Sequence, residues 1–89
     1  MKALIETNKV CQQVIRYDTV TIDGVDTHFA VWQDISNSAN ICQIEENQFD
    51  VAPDVLLWVE CNSSVTTTGY YYDTSDSTIK AIVNADEPA

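Results

Sequence analysis

The chain is rich in β-branched residues and has no segment with the apolar spacing of a helix. Val, Ile and Thr supply 27 of the 89 residues, whereas Leu supplies three. β-Branched side chains suit a pleated, half-buried strand better than a helix. No ten-residue stretch repeats apolar residues at i, i+3, i+4 and i+7. The sequence therefore predicts an all-β fold of about seven or eight short strands, either a small antiparallel sandwich or a partly open barrel.

The strongest local signal is the dipeptide Asp23-Gly24. Asp-Gly supplies the positive φ angles that a type I′ turn requires, and the residues on either side alternate between apolar and polar. The pattern predicts a hairpin, with a strand over 19–22 entering the turn and one over 25–32 leaving it. Val25, Thr27, Phe29 and Val31 should then share one face of the returning strand.

Further strands are predicted over 2–6, 10–17, 41–44, 55–61, 70–72 and 78–83. Neither face of 10–17 is wholly apolar, which favours a position near a sheet edge. The segment 55–61 is continuously apolar through Trp58, which is typical of a central strand covered on both faces. A loop is predicted over 36–40 and a turn over 52–54. The result is one β domain over 1–84, followed by a polar tail over 85–89.

The charge and the lengths of the apolar runs exclude several classes of function. Four basic residues stand against 14 acidic ones, for a formal net charge of −10. Such a chain repels phosphate, so we expect no nucleic-acid partner bound through a basic face. The longest apolar run, 55–59, is too short to span a bilayer, so we expect no membrane partner. The first residues carry no apolar core of about 7–15 residues, so no secretory signal is expected.

No arrangement of residues predicts catalysis. The three cysteines, Cys11, Cys42 and Cys61, are an odd number without a C-x-x-C pair, and we expect reduced thiols that fill space in the core. With His28 they form the one conceivable nucleophile and base, a combination we do not favour. We predict that the protein is not an enzyme.

Candidate acid/base pairs and ligands are equally weak. Glu45 with Glu46, and Asp73 with Asp76, are carboxylate pairs by type alone, and solvated turn residues are the better interpretation. The run from Asp73 to Ser77 offers oxygen ligands but lacks the spacing of a calcium loop. The two glycines are isolated, so no phosphate loop forms. We therefore expect no catalytic, cofactor-binding or metal-binding residue, and no cofactor.

Aromatic residues are the best candidates for a protein interface. Tyrosine and tryptophan combine a large apolar ring with a polar tip, which suits partly exposed contacts. In a strand, one face of the run Tyr70-Tyr71-Tyr72 would fill the core and the other would be partly exposed. The alternative to an interface is that these are ordinary strand tyrosines. Trp58 should lie in the core. The predicted interface residues are Trp32, Tyr70, Tyr71, Tyr72 and Phe29.

Part of the chain resembles a small, poorly characterised protein family of tailed bacteriophages, found in cyanophages and other marine phages. The similarity lies in Ile41-Cys42-Gln43-Ile44, Phe49-x-Val51, Leu57-Trp58-Val59-x-Cys61, Thr67-Thr68-Gly69-Tyr70 and Tyr72-Asp73, and in the start Met1 to Glu6. It covers about half of the chain. The family usually has tryptophan at Tyr70 and glycine at Thr74, and it lacks roughly thirty residues that include Asp23-Gly24.

The resemblance implies a β-rich structural protein of the phage virion, made in the host cytoplasm. The leading interpretation is a head decoration protein that binds the major capsid protein, or another virion protein, through strand edges and aromatic side chains. Repeated copies or a homo-oligomer are expected, because symmetry multiplies weak contacts. The alternatives are a tail or fibre component, or an acidic intracellular effector that inhibits a host nucleic-acid-binding protein.

Overall fold

Seven antiparallel strands form among the residues that the computed structural model describes, 1–52 and 54–88, and no helix forms there. The all-β fold predicted from the β-branched content is confirmed. The strands are β1 (Lys2–Glu6), β2 (Gln12–Ile22), β3 (Val25–Asp34), β4 (Ser38–Glu45), β5 (Leu56–Glu60), β6 (Tyr70–Asp73) and β7 (Thr78–Ala81).

Five of the strands form one sheet in the order β5-β1-β4-β6-β7, with β5 and β7 at its edges. This sheet curls into an open half-barrel. Strands β2 and β3 pair with each other in a separate two-stranded sheet. The molecule measures 55 × 24 × 21 Å, so it is more than twice as long as it is wide.

The core lies on the inner face of the half-barrel. Alternate residues of β1 and β4 point inward, and Ile5 and Ile41 are cross-strand partners that are almost completely buried. Val65, from the loop before β6, and Tyr72 complete the cluster. Each buried aliphatic side chain contributes about 1.5–3 kcal/mol. The core is small, so each of its members matters to stability.

A β-bulge in β4 keeps the core continuous. The register shifts between Leu4 and Ile5, so that Cys42 is the extra residue between Gln43 and Ile41. Strict alternation would put Ile41 and Ile44 on opposite faces, but the extra residue lets both pack toward the core. The Cys42 thiol points to the Leu4 carbonyl at 3.5 Å.

The prediction of a central strand over 55–61 was wrong, because β5 is an edge strand. Its apolar run has another cause. Val59 packs against the core, whereas Trp58 lies on the opposite face and contacts Phe49 edge-on, with ring centroids 5.0 Å apart. The Trp58 indole N–H donates to the Phe49 carbonyl at 2.7 Å. The loop before β5 thus covers the outer face, and Trp58 is half-buried rather than central.

Other boundaries also differ from the predictions. The segments predicted over 10–17 and 19–22 are one continuous strand, β2, which begins at Gln12. Ser38 to Asn40, predicted as loop, belong to β4 because β6 pairs with them. The predicted turn over 52–54 includes Pro53, which lies outside the described residues.

Candidate functional site, a projecting β-ribbon

The hairpin of β2 and β3 forms a long two-stranded ribbon, here called the ribbon (Gln12–Asp34). The predicted turn is confirmed, since Asp23 and Gly24 have φ angles of 52° and 77°, as a type I′ turn requires. At about 3.3 Å per residue, the eleven residues of β2 extend roughly 35 Å. The ribbon therefore accounts for most of the 55 Å long axis.

The ribbon has one apolar face. The cross-strand pairs Ile22–Val25, Val20–Thr27, Asp18–Phe29 and Arg16–Val31 all point to the same side. Val25 is 63% exposed and Ile22 is 56% exposed, so these side chains are far from buried. The predicted shared face of β3 is thus confirmed by the register. We call this surface the apolar face, defined by Val20, Ile22, Val25, Phe29 and Val31.

On the opposite face of the ribbon, the residues near the turn are polar. Thr19 Oγ1 and His28 Nδ1 are 2.9 Å apart, and Thr21 Oγ1 donates to Asp26 Oδ1 at 2.6 Å. A register shift between Val14 and Arg16 leaves Ile15 as an extra residue. Alternation along β3 places Trp32 on the polar face, and the bulge in β2 brings its partner Val14 to the same face.

Hydrogen bonds at its base attach the ribbon to the half-barrel. The buried hydroxyl of Ser38 accepts from the Cys11 N–H at 2.8 Å and donates to the Ile35 carbonyl at 2.7 Å. On the other side, Asn84 Oδ1 accepts from the Val14 N–H at 2.8 Å. The Ala85 N–H, in the segment predicted as tail, donates to the Val14 carbonyl at 2.8 Å.

The predicted interface residues do not form one cluster. Phe29 and Trp32 are exposed but lie on opposite faces of the ribbon. Tyr72 is buried in the core, Tyr70 packs against the core, and Tyr71 is half-buried on the outer face. Tyr72 is therefore not available for a surface contact, because its side chain points to the inner face of the half-barrel and belongs to the core cluster.

A shallow groove lies beside Trp32 at the base of the ribbon. Its volume is about 430 Å³, and Trp32 itself is 57% exposed. We call it the Trp32 groove, which is lined in part by Val10, Trp32, Thr67, Thr68 and Ile82. It combines an exposed indole with small polar and aliphatic groups.

The sequence predicted the β3 part of the apolar face, but not that Val20 and Ile22 extend it across the turn or that it stays exposed. Alternation of Val20 and Ile22, with Val25 and Phe29 across the turn, indicates a hairpin with one apolar side. In most small β proteins such a side packs on a second sheet. Whether it does so depends on tertiary contacts, and in this chain the ribbon extends away from the core instead.

The cysteine and histidine residues do not assemble a catalytic site. Burial raises the pKa of the Cys11 thiol. Although Cys42 as a residue is exposed, partial desolvation of its sulfur beside the Leu4 carbonyl, together with the nearby Glu6 charge, raises the pKa of its thiol. A raised pKa reduces the thiolate fraction that a nucleophile needs. His28 meets Thr19 on the ribbon. Cys11 is buried as predicted, whereas Cys42 is exposed and Cys61 is half-buried.

A cavity opens between the two edge strands of the half-barrel. It has a volume of about 600 Å³ and is lined by β5 and β7 residues, including Val59 and Ile79. Glu60, Cys61 and Tyr70 are its titratable side chains. Among the described residues, no group of three or more His, Cys, Asp and Glu side chains could hold a metal ion.

Asp73 and Asp76 meet at the turn between β6 and β7, where both contact Lys80. The Lys80 ammonium lies 2.6 Å from Asp73 Oδ2 and 2.9 Å from Asp76 Oδ2. Asp73 Oδ1 also accepts from the N–H and hydroxyl of Ser75. The Lys80 and Ser75 hydrogen bonds hold the pKa of Asp73 well below its usual range. A lysine thus occupies the position between the carboxylates where a cation would bind.

This cluster predicts a loss of stability in acid. A carboxylate whose folded pKa is lowered contributes stability above its unfolded pKa, near 3.9, and loses that contribution as the pH falls toward the folded pKa. We expect the urea concentration at the unfolding midpoint to decrease as the pH is lowered below about 4. This decrease should be less steep in Asp73→Asn. Asp86→Asn, in the exposed C-terminal segment, is the control. Equal acid slopes for the wild type and Asp73→Asn would contradict the prediction.

Each of the four basic side chains lies within ion-pair distance of a carboxylate. Lys2 contacts Glu60, Lys9 contacts Glu6, Arg16 contacts Asp18, and Lys80 contacts two aspartates. The surface therefore presents an excess of carboxylates.

In the part of the chain that the structure describes, no helix is sufficiently long and apolar to cross a membrane. The chain matches no protein-family model, no curated protein and no solved structure.

Proposed function

We propose that this protein is a structural component of a tailed-phage virion and decorates the head shell, where it binds the major capsid protein. The partial resemblance in sequence motivates the phage context. The observation that carries the structural role is the ribbon, a projecting arm with an exposed apolar face. A catalytic role has no comparable support from the geometry.

The physical argument is that the ribbon needs a partner. A two-stranded ribbon alone is marginally stable in water, and contiguous exposed apolar surface is typical of an interaction site. Val20, Ile22, Val25 and Phe29 are each at least 45% exposed. A module of this shape suits assembly, because the half-barrel supplies a folded anchor and the ribbon supplies the contact.

Contact with the shell is assigned to the Trp32 groove. An exposed tryptophan beside a shallow groove is a typical anchor in protein interfaces, where a few aromatic residues carry most of the binding energy. Single contacts of this size are weak, but simultaneous contacts over a symmetric shell raise the effective affinity. The negative surface keeps free copies soluble before they bind.

The two alternatives differ in what they require. A tail or fibre component would use the same surfaces in far fewer copies. An acidic inhibitor of a nucleic-acid-binding protein would present its carboxylates to a basic groove. The ribbon does not favour such an inhibitor, because Arg16 neutralises Asp18 at 3.1 Å on the apolar face.

Mass spectrometry of purified particles of the source phage, with copy number per particle, tests the proposal. Copies on the order of hundreds would support head decoration, as expected for a subunit repeated by shell symmetry. About a dozen or fewer would move the protein to the tail or fibres. Absence from particles would contradict a virion role and favour the intracellular effector, which a pull-down from host lysate would then test.

A substitution in the groove tests the assigned contact. We expect Trp32→Ala to weaken binding to shells that lack the protein by about tenfold or more, the loss of a moderate hot spot. Titration of shells followed by sedimentation measures it. Tyr17→Ala, on the same ribbon face but outside the groove, is the matched control. Equal binding by both variants and the wild type would contradict the assignment.

A further inference from the structure

The half-barrel leaves a gap between its two edge strands, and the core is incompletely covered there. The cavity of about 600 Å³ at this gap, here called the cleft, is lined by the end of β5 and the start of β7. Its lining includes four residues that pack against the core and are only partly buried: Val59, Cys61, Tyr70 and Ile79. The floor of the cleft is therefore an open side of the core.

The walls of the cleft present main-chain groups that, among the described residues, have no strand partner. The Cys61 N–H donates to the Met1 carbonyl, so alternate β5 residues face β1, and Glu60 faces away from it. The residue after β7 likewise donates its N–H to the residue before β6, which turns the N–H and C=O of Ile79 away from β6. Both Glu60 and Ile79 line the cleft. Each wall thus offers it a donor and an acceptor.

The strand directions determine what can close the gap. Each neighbouring pair in the five-stranded sheet is antiparallel, so β5 and β7 run in the same direction. Direct pairing of these two edges would place a parallel pair in an otherwise antiparallel barrel. One added strand that runs opposite to both would instead satisfy both edges and complete an antiparallel barrel, which has no free edge.

We propose that the cleft binds an extended, basic and apolar peptide segment of another protein, which inserts as a strand between β5 and β7. Strand addition takes its affinity from main-chain hydrogen bonds and its specificity from the alternate side chains that enter the groove. The inward side chains should be apolar, because they meet the floor of the cleft. A paired stretch of about five residues matches the length of the edge strands. The cleft shares no residue with the Trp32 groove, so this inference goes beyond the proposed function.

Charge complementarity favours basic side chains on the outward face of the segment. Among the described residues that line the cleft, Glu60 alone is charged, and its side chain stays 76% exposed although it contacts Lys2. At the adjoining β6–β7 turn, Asp73 and Asp76 share the single ammonium of Lys80, which leaves one negative charge in excess. A basic segment would meet carboxylates at both walls of the cleft.

The described segments next to the edge strands are held elsewhere, and a second copy has the wrong charge. Phe49, before β5, packs against Trp58 on the outer face of that strand. Ala85, after β7, donates its N–H to the Val14 carbonyl of the ribbon. A second copy would bring a net charge of −10 to an acidic surface. A basic segment of a different protein meets neither obstacle.

Binding of a synthetic peptide to the intact chain tests the inference. The probe is a fluorescently labelled peptide of about eight residues in which valine alternates with lysine, and a peptide of equal length with valine and glutamate is the control. Fluorescence anisotropy should show saturable binding of the lysine peptide, with a dissociation constant on the order of 10–100 μM. The glutamate peptide should bind about tenfold more weakly or less.

Proline at the free edge is the discriminating variant. In Glu60→Pro the ring replaces the N–H that faces the cleft and leaves the ladder with β1 intact, as proline on an edge strand does. Glu60→Ala, the matched control, removes the same carboxylate but keeps the N–H. We expect Glu60→Pro to bind the lysine peptide about tenfold more weakly than Glu60→Ala. Circular dichroism checks that both variants fold.

Amide exchange of the wild type, followed by NMR, is a second readout that needs no variant. Saturation with the lysine peptide should slow exchange at Glu60 and Ile79 about tenfold or more, because both N–H groups gain an acceptor. The Val59 N–H already faces β1, so its exchange should change little.

The outcomes distinguish strand addition from its alternatives. Absence of saturable binding up to about 1 mM lysine peptide overturns the inference, as does equal binding by the proline and alanine variants. Binding that leaves the Glu60 and Ile79 amides unprotected would place the peptide elsewhere and also overturn it. Protection of these amides in concentrated protein without peptide would show a second copy in the cleft instead. Peptide binding needs no phage particle, so its failure and absence of the protein from particles are distinct results.

Discussion

Replacing Ile41 by Ala is expected to remove about 2–5 kcal/mol from the free energy of unfolding. Ile41 is 1% exposed, and its cross-strand partner Ile5 is fully buried, so the deletion leaves a cavity that neighbouring strands fill poorly. A domain of this size has a stability on the order of 4–13 kcal/mol. The variant should therefore be partly unfolded at 37 °C, as measured by urea unfolding and by circular dichroism.

Trp58→Ala is the informative comparison for this prediction. Truncating a tryptophan to alanine in a core lowers the free energy of unfolding by about 3–5 kcal/mol. Trp58 is half-buried on an edge strand, so we expect a loss of roughly 1–2.5 kcal/mol. The substitution removes the edge-on packing of the indole against Phe49. If Trp58→Ala proved more destabilising than Ile41→Ala, the main core would lie on the outer face of β5 rather than inside the half-barrel.

The second large effect is expected at Ser38, where the ribbon joins the half-barrel. Ser38→Ala deletes the acceptor of the Cys11 N–H and the donor to the Ile35 carbonyl. Both Ser38 and Cys11 are buried, so water cannot easily replace the deleted hydroxyl. Leaving a buried donor unsatisfied costs about 1–3 kcal/mol. Amide exchange at the base of the ribbon should accelerate about tenfold or more.

Hydrogen exchange followed by mass spectrometry would locate this effect. The acceleration should be confined to the base of the ribbon and the start of β4, with β1 and β5 protected as in the wild type. Ser36→Ala, an exposed serine in the same connection, should leave the exchange unchanged. Uniform acceleration through the sheet would instead mean that Ser38 supports the whole fold.

The secondary structure was predictable where local chemistry decided it. Asp23-Gly24 set the hairpin because few other dipeptides adopt two positive φ angles. The tyrosine strand and the strand over 78–83 were recognised on either side of a polar turn, and they form β6 and β7. Position within a sheet was not predictable in this way. The apolar run at Trp58 looked central because a loop covers its outer face, and that coverage is a tertiary contact.

In the candidate site, too, residue type was predictable from the sequence, whereas burial depended on tertiary contacts. Phe29 and Trp32 were recognised as exposed aromatics, but they are three residues apart in β3, so alternation along the strand places them on opposite faces. Tyr72 was included because of its type, yet its side chain points to the inner face of the half-barrel and is buried in the core cluster. The exposed apolar surface from Val20 to Val25 was recognised as a hairpin with one shared face on β3, but its exposure was not predicted.

By itself, the sequence determined the class of fold, the hairpin turn and the excess of negative charge. Each of these depends on side-chain type or on the conformational preference of a few adjacent residues. The tertiary structure alone decided that β5 is an edge, that the tyrosines divide between core and surface, and that the ribbon projects with its apolar face open. Those outcomes depend on which distant segments pair and cover one another, which local preference does not encode.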